Sequence, residues 1–280
     1  MKPYYVDKTV TLYQGDCLEV LETIEPQSID LIFADPPYNL SNGGFTCHAG
    51  RMVPVHKGDW DKSKGFETDY EFTTLWLKAC QRVLKPSGAI WVSGTQHVIF
   101  SVGFAMQKLG YHLLNTVTWF KPNASPNLSC RYFTHSNELL IWASPTRHKA
   151  LKHTFNYDEM RKRSNGKQMR DVWEFKGNGE LAPKIFEIGT PLPEEKTFGK
   201  HPTQKPLELL NRIISASSNA GDLVLDPFNG SGTTAIVAKA LDRKFIGIEL
   251  EKHYLDVTVK RLKNLKPAQL SLIQNIDHLR

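Results

Sequence analysis

Apolar positions in this 280-residue chain fall into short continuous runs separated by stretches with helical spacing. Residues 29–34 (Ile-Asp-Leu-Ile-Phe-Ala) are apolar at all but one position, which predicts a strand covered on both faces. Ala89-Ile90-Trp91-Val92-Ser93 reads the same way. Val10-Thr11-Leu12-Tyr13 predicts a short strand, and residues 111–120 and 137–143 two more. Between them, Leu18, Val20, Leu21 and Ile24 have the spacing of a short helix. Phe72, Leu75, Trp76, Ala79, Val83 and Leu84 predict a helix over 69–84, closed by the stop signal Lys85-Pro86-Ser87-Gly88, and a further helix is expected over 97–109. The pattern resumes after residue 205, with helices expected over 206–218, 231–241 and 251–264 and strands over 222–226 and 244–249. Strands alternating with helices predict an α/β fold on a mostly parallel, doubly wound sheet. Two segments break the rhythm. Residues 39–66 are polar and Gly-bearing, a loop length that in a compact domain is usually functional or mobile. Residues 121–205 are rich in Asn, Pro, Arg, Lys and aromatic residues and read as an inserted region. The tail, 265–280, is weakly helical, with no role to assign.

Charge sharpens the view of the insert. Residues 1–120 carry 10 Lys and Arg against 12 Asp and Glu, whereas 121–205 carry 15 against 9. A basic segment between two near-neutral ones fits a surface that faces a polyanion, and equally a solvated charged face. No window approaches 18 uninterrupted apolar residues, and Met1-Lys2-Pro3-Tyr4-Tyr5 lacks an apolar signal core. The four cysteines (Cys17, Cys47, Cys80, Cys130) are scattered, which argues for a reducing cytoplasm and against a zinc site or disulfide framework. The ten histidines are dispersed as well, so no metal is expected. Trp60, Trp91, Trp119 and Trp142 read as core or wall residues.

Two motifs carry chemistry. Asp35-Pro36-Pro37-Tyr38 follows the first buried strand, where sites of α/β sheets lie. It combines a carboxylate acceptor, a stiff turn with outward carbonyls and an aromatic face, a set suited to holding the amino group of a planar base. That nitrogen is a poor nucleophile until acceptors around its hydrogens turn its lone pair outward, and Asp35 and the Pro36 carbonyl can supply them. Downstream, Leu223-Val224-Leu225-Asp226 leads into the tight turn Pro227-Phe228-Asn229-Gly230-Ser231-Gly232 and a helix from Thr233. Glycines there allow close approach of a ligand to the backbone. The next strand ends in Glu249, 23 residues beyond Asp226, near the spacing at which a carboxylate meets a ribose diol. No Lys follows the glycines, which excludes a P-loop, and Ala235 stands where a dinucleotide fold would want a third glycine.

Together these residues resemble the S-adenosylmethionine-dependent DNA amino-methyltransferases. Asp35-Pro36-Pro37-Tyr38 looks like their catalytic tetrapeptide, in the form usual for adenine N6 rather than the Ser-Pro-Pro-Tyr common for cytosine N4. Asp226 to Gly232 looks like the cofactor loop, His201-Pro202-Thr203-Gln204-Lys205-Pro206 like the motif preceding it, and Gly15-Asp16-Cys17 like the stretch that contacts the cofactor adenine. The catalytic motif comes first, the permuted order of the β group. Within that group the chain looks closest to the second adenine methylases of DpnII-type GATC restriction–modification systems. Leu40-Ser41-Asn42-Gly43-Gly44, Lys57-Gly58-Asp59-Trp60-Asp61, Gly166-Lys167-Gln168-Met169 and the stretch Asn127 to His135 carry that likeness.

The resemblance implies a catalytic half over 1–120, strands completing the sheet plus a basic target-recognition insert over 121–200, and a cofactor half over 201–264. It implies that Asp35 and Pro36 orient the target amino group, with Pro37 stiffening the turn and Tyr38 stacking on the base. Asp16, Cys17, Asp35, Thr203, Lys205, Asp226, Phe228, Asn229, Gly230, Gly232, Thr233 and Glu249 are the expected cofactor residues. Arg131, Arg161, Lys162, Arg163 and Lys167 are the expected DNA contacts, with Arg131 the preferred base reader. The expected partner is DNA, duplex or single-stranded, with a homodimer an option. Cytosine-N4, RNA and protein amide methyltransferases, a non-enzymatic nucleic-acid-binding protein and an oxidoreductase are the alternatives.

Overall fold

The computed structural model describes residues 1–41, 45–48, 51–54, 57–122, 124, 126–147, 152–174, 199, 201–265, 270 and 273–274. The strands are β1 (Tyr5–Val6), β2 (Val10–Gln14), β3 (Ile29–Ala34), β4 (Phe45–His48), β5 (Arg51–Pro54), β6 (Leu84–Gly94), β7 (His112–Phe120), β8 (Asn137–Ser144), β9 (Val172–Glu174), β10 (Leu223–Asp226) and β11 (Lys244–Glu249). The helices are α1 (Cys17–Thr23), α2 (Phe66–Val83), α3 (Ile99–Lys108), α4 (Tyr157–Arg163), α5 (Leu207–Ser217), α6 (Thr233–Ala240) and α7 (Lys252–Lys263). Nine strands form one sheet in the order β1-β2-β11-β10-β3-β6-β8-β7-β9, and β4 and β5 form a separate antiparallel pair.

From β2 through β11, β10 and β3 to β6 every pairing is parallel. β8 runs antiparallel to both its neighbours, so its first residues share a rim with the last residues of β3, β6 and β7. The near-continuous apolar runs are explained by burial on both faces. Leu31, Phe33, Ala89 and Trp91 face a layer that includes α5 and α6, whereas Ile32, Ala34, Ile90 and Val92 face α1, α2 and α3. The one polar residue of β3 is used at its start. Asp30 accepts from the Leu223 amide at 2.9 Å and from Lys85 Nζ at 2.7 Å, tying β10 to the beginning of β6. Trp91 and Trp142 are register partners whose rings stack at 5.0 Å.

β3 and β10 lie side by side although nearly 190 residues separate them (Val224 pairs with Leu31). From β3 the chain proceeds toward β6, and from β10 toward β11, in the opposite direction. The crevice between their carboxyl ends is therefore the switch point at which α/β sheets bind ligands.

Several expectations are refined. The stop signal 85–88 lies within β6, as an irregularity where Ile29 pairs with Leu84 and Leu31 with Ala89. The 39–66 loop contains β4, β5 and the short turn Asp59–Asp61. The insert contains β9 and also α4, whose only buried apolar residue is Met160, and α4 is clamped to α5 by Asn156, whose Nδ2 donates to the Ser215 and Ser218 carbonyls. In the tail, Ile273 is buried and its carbonyl accepts from Asn211 on α5 at 2.7 Å. No helix among the described residues is long and apolar enough to cross a membrane.

Gly232 was expected to admit the cofactor, and the structure gives it another reason. Its φ is +77°, and an added Cβ would lie 2.4 Å from Thr258 Cγ2 on α7. Gly110 has a similar φ, +82°, with open space around it. Gly110→Ala should therefore lower stability by ~1 kcal/mol, the backbone cost alone. Gly232→Ala should lose ~2 kcal/mol or more, because α7 must shift as well. Urea unfolding of both variants checks this, and equal losses would remove the packing argument.

Candidate active site

Asp35 follows β3 at the centre of a largely buried polar network. Its Oδ1 accepts from Ser93 Oγ at 2.5 Å and Tyr38 Oη at 2.7 Å, and its Oδ2 accepts from Lys205 Nζ at 2.6 Å. Lys205 also lies 3.1 Å from Tyr38 Oη and 3.6 Å from Glu138 Oε2, and Glu138 pairs on its other side with Lys121. Burial by itself would lower the Lys205 pKa, but Asp35 and Glu138 raise it above the ordinary lysine value. Burial would raise Glu138, but Lys205 and Lys121 hold it below the ordinary carboxylate value. Both shifts favour the charged forms, so the pair is ionised. Tyr38 is pushed well above the ordinary tyrosine value by burial and then by Asp35 and Glu138, and it stays a neutral donor.

The turn after Asp35 is held from outside. Buried Asp61 accepts from the Tyr38 amide at 2.9 Å, the Leu40 amide at 3.2 Å and Ser41 Oγ at 2.8 Å. A carboxylate that takes three donors from one short segment fixes that segment's path.

On the β10 side, Asp226 accepts from the Phe228 amide at 2.9 Å and Thr234 Oγ1 at 2.6 Å, and burial pushes its pKa up to about 7. Gly230 has φ +50°, and its amide donates to Glu249 Oε2 at 2.7 Å. Burial raises the Glu249 pKa. Asn229 is buried and bonds Thr258 Oγ1 at 3.0 Å, while Phe228 meets Trp76 edge-on at 5.3 Å. Asp16 caps α1 through the Leu18 amide at 2.7 Å. Cys17 is buried behind it, its thiol pushed up to about 12 by burial and by Asp16. Above Gly230 stands His201, stacked on Trp60 at 5.9 Å and edge-on to Tyr254 at 4.2 Å. Burial first, and then Lys205, His253 and Lys57, lower its pKa to about 3, so the ring is neutral near pH 7. Thr203 Oγ1 lies 3.2 Å from its Nδ1.

The two sides open onto one cavity of about 490 Å³. Asp35 to Tyr38, Asp16, Cys17, Thr203, Lys205, Asp226, Phe228, Asn229, Gly230, Thr233 and Glu249 all line it, so every expected catalytic or cofactor residue except Gly232 comes to one place. The volume suits a nucleoside-sized ligand. The lining also suits one: carboxylates at two ends, aromatic faces between them, and a left-handed glycine whose added Cβ would crowd His201 Nε2 at 3.3 Å.

The basic residues lie elsewhere, in two groups. Arg131 is exposed on the loop between β7 and β8. Arg161, Lys162 and Lys167 are exposed on α4 and the turn after it. Arg163, expected to join them, is turned inward, donating to Asn211 Oδ1 at 2.7 Å and pairing with Glu159. It contributes instead to a groove of about 730 Å³ that Lys167, Arg170 and Arg212 also line.

The sequence reading missed Ser93, Glu138, Lys121 and Asp61. Ser93 ends a predicted strand, Glu138 falls at the start of one and Lys121 just follows another, and only strand order joins them into the network around Asp35. Asp61 lies in the Lys57–Asp61 stretch, whose likeness to relatives marks it without giving it a role.

Comparison with known proteins agrees with this geometry. The chain is 50% identical over 262 residues to the type II methyltransferase M2.DpnII of Streptococcus pneumoniae, covering 94% of this chain and 92% of that one. It is 51% identical over 261 residues to M2.LlaDCHI of Lactococcus lactis subsp. cremoris, covering 93% and 92%. Among solved structures, the M1.HpyAVI–SAM complex superposes with a TM-score of 0.61 at 26% identity, over 90% of this chain and 98% of that one. Residues 29–260 match the DNA methylase family N6_N4_Mtase. The segment so matched runs from the strand that presents Asp35 to the helix that packs on Gly232, and the chain belongs to this family of DNA methylases.

Proposed function

We propose that this DNA methyltransferase moves a methyl group from S-adenosylmethionine to N6 of adenine within GATC, with the flipped base held at Asp35-Pro36-Pro37-Tyr38. One observation carries the reading: the tetrapeptide closing β3 and the cofactor loop closing β10 line the same cavity. The aspartate at position 35 supports adenine over cytosine, and the relatives are type II methyltransferases of the M2 kind.

When bound, S-adenosylmethionine supplies an electrophilic methyl group on a sulfonium. Glu249 and Asp16 would meet its hydroxyl and amino groups, Gly230 would give its backbone room, and Phe228 would pack against it. Asp35 and the Pro36 carbonyl accept from the amino hydrogens of the base, so that the nitrogen lone pair faces the methyl group. Lys205 and Ser93 fix the Asp35 carboxylate in advance, which is electrostatic preorganisation. Tyr38 turns its hydroxyl into the network and offers its ring face to the base. Once it carries the methyl group, the amino nitrogen would be cationic and would shed a proton. Asp35 is the carboxylate of the tetrapeptide that could take it, and Glu138 lies beyond Asp35 across the Tyr38 hydroxyl. Neutral His201 adds no positive charge to the cavity that would hold the cofactor.

Methylation of plasmid DNA followed by digestion tests the reading. Enzymes blocked by N6-methyladenine in GATC should fail to cut, and others should cut normally. Protection at unrelated sites, or none, overturns it. Asp35→Ala should lower transfer ~10³-fold or more while S-adenosylmethionine binding by calorimetry is kept, because the variant no longer stabilises the transition state at the amino group.

Phosphate binding by the insert has a separate signature. Replacing exposed Arg161, Lys162 and Lys167 with Gln should weaken DNA binding on every sequence and lower the salt slope by roughly one for each phosphate no longer neutralised. An unchanged slope identifies the patch as plain surface.

A homodimer also has a candidate face. Phe66, Phe100 and Phe104 are exposed, at 67%, 69% and 56%, on α2 and α3. Light scattering should report a dimer that Phe100→Glu with Phe104→Glu converts to monomer, and a wild-type monomer at micromolar concentration removes the proposal.

A further inference from the structure

The loop joining β7 to β8 grows directly out of the Asp35 network. At its base the Lys121 amide donates to the Ser136 carbonyl at 2.7 Å, and the Lys121 ammonium pairs with Glu138. Glu138 in turn meets Tyr38 Oη at 3.3 Å and Lys205 Nζ at 3.6 Å. A second tether lies on the β6 side, where Gln96 Nε2 is 3.3 Å from His135 Nε2. Gln96 is three residues past Ser93, whose hydroxyl donates to Asp35.

The loop is also braced from within. Asn127 Oδ1 accepts from the Ser129 amide at 3.0 Å and the Ser129 hydroxyl at 2.7 Å, and Asn127 Nδ2 donates to the Tyr132 carbonyl at 2.6 Å. Cys130 takes a left-handed φ of +53°, with its amide donating to the Asn127 carbonyl. Tyr132 leans on His135 at 5.4 Å. What this frame presents is Phe133, whose 96% exposure is the highest of any large hydrophobic side chain among the described residues. Arg131, two residues earlier, is exposed as well.

A protein gains nothing by holding a phenyl ring in water on a braced loop, unless the ring has an apolar slot to enter. Removing a base from a duplex opens such a slot, flat and lined by the faces of neighbouring bases. Apolar wedges that enter base steps stabilise unstacked DNA in this way. We infer that Phe133 enters the base stack where the target adenine leaves it, keeping the adenine out of the duplex and within reach of Asp35. This rests on the adenine-methylating reading above. Arg131 beside it faces the same DNA, its charge complementing the phosphates.

The test compares wild type with Phe133→Ala on three oligonucleotides: a duplex with the target adenine paired to thymine, the same duplex with an abasic site opposite the adenine, and the single strand. Phe133→Ala should lose about tenfold or more in kcat/KM on the paired duplex and stay within about twofold on the other two, where no pair must be opened. Phe133→Trp should restore activity on the paired duplex. With 2-aminopurine at the target position of the paired duplex, wild type should raise fluorescence and Phe133→Ala should raise it less. Equal loss on all three substrates, or no loss on the paired duplex, overturns the wedge and leaves the adenine reading standing. A wild-type enzyme with no transfer to any of the three overturns the adenine reading, and the wedge with it. A ring this exposed has little part in folding, and coincident thermal melts would confirm it.

Discussion

The largely buried ion pair between Lys205 and Asp35 is the constraint on which the rest of the site depends. A lone buried ammonium is costly in a protein interior, and so is a lone carboxylate. Together with Glu138 and Lys121 they form two cations and two anions, and the set balances. The residues come from β3, β8, the end of β7 and the segment before α5, while Ser93 adds β6. Four neighbouring strands are thus pinned at one rim. A pair of this kind is weak evidence for stability, since well-packed apolar residues can be as stable. Its effect here is geometric, because it orients Asp35 before any base arrives.

The antiparallel strand β8 makes the arrangement available. A parallel strand at that position would bring its last residue to the rim and bury Glu138 at the far end. Because β8 runs the other way, its opening residues reach the site, and the loop that feeds it hangs over the same rim. The loop and the Asp35 network are therefore joined by covalent geometry as well as by charge. On the cofactor side the fixing elements are different: Asp61 holding the Tyr38 to Ser41 backbone, and Trp60, His201 and Tyr254 packed over Gly230.

The regular parts of the fold were legible because burial on both faces of a parallel sheet leaves long apolar runs, as in residues 29–34 and 89–93. Helices α2, α5 and α7 showed their period for the same reason. α4 was not legible because Met160 is its only buried apolar residue, so it has no apolar period to show, and it is held by partners such as Asn156 and Asn211. Arg163 shows the limit of counting charges: the +6 of the insert is real, yet one of its arginines is used to hold α4 to α5.

By itself the sequence determined the chemistry on offer. A carboxylate, a stiff turn and an aromatic ring follow one buried strand, and a glycine-rich turn follows another, 23 residues before a second carboxylate. These are local facts, set by adjacent residues and by their likeness to known motifs. Only the tertiary structure decided which residues stand around Asp35. Ser93, Glu138, Lys121 and Lys205 lie between 58 and 170 residues from it along the chain; strand order brings the first three to this rim, and the segment before α5 brings Lys205. The structure likewise separated Gly230, which faces the cavity, from Gly232, which makes room for α7, although the two are indistinguishable as letters. Sheet topology acts over distances that no local pattern encodes, so the tetrapeptide could be read from the chain but the network that holds it could not.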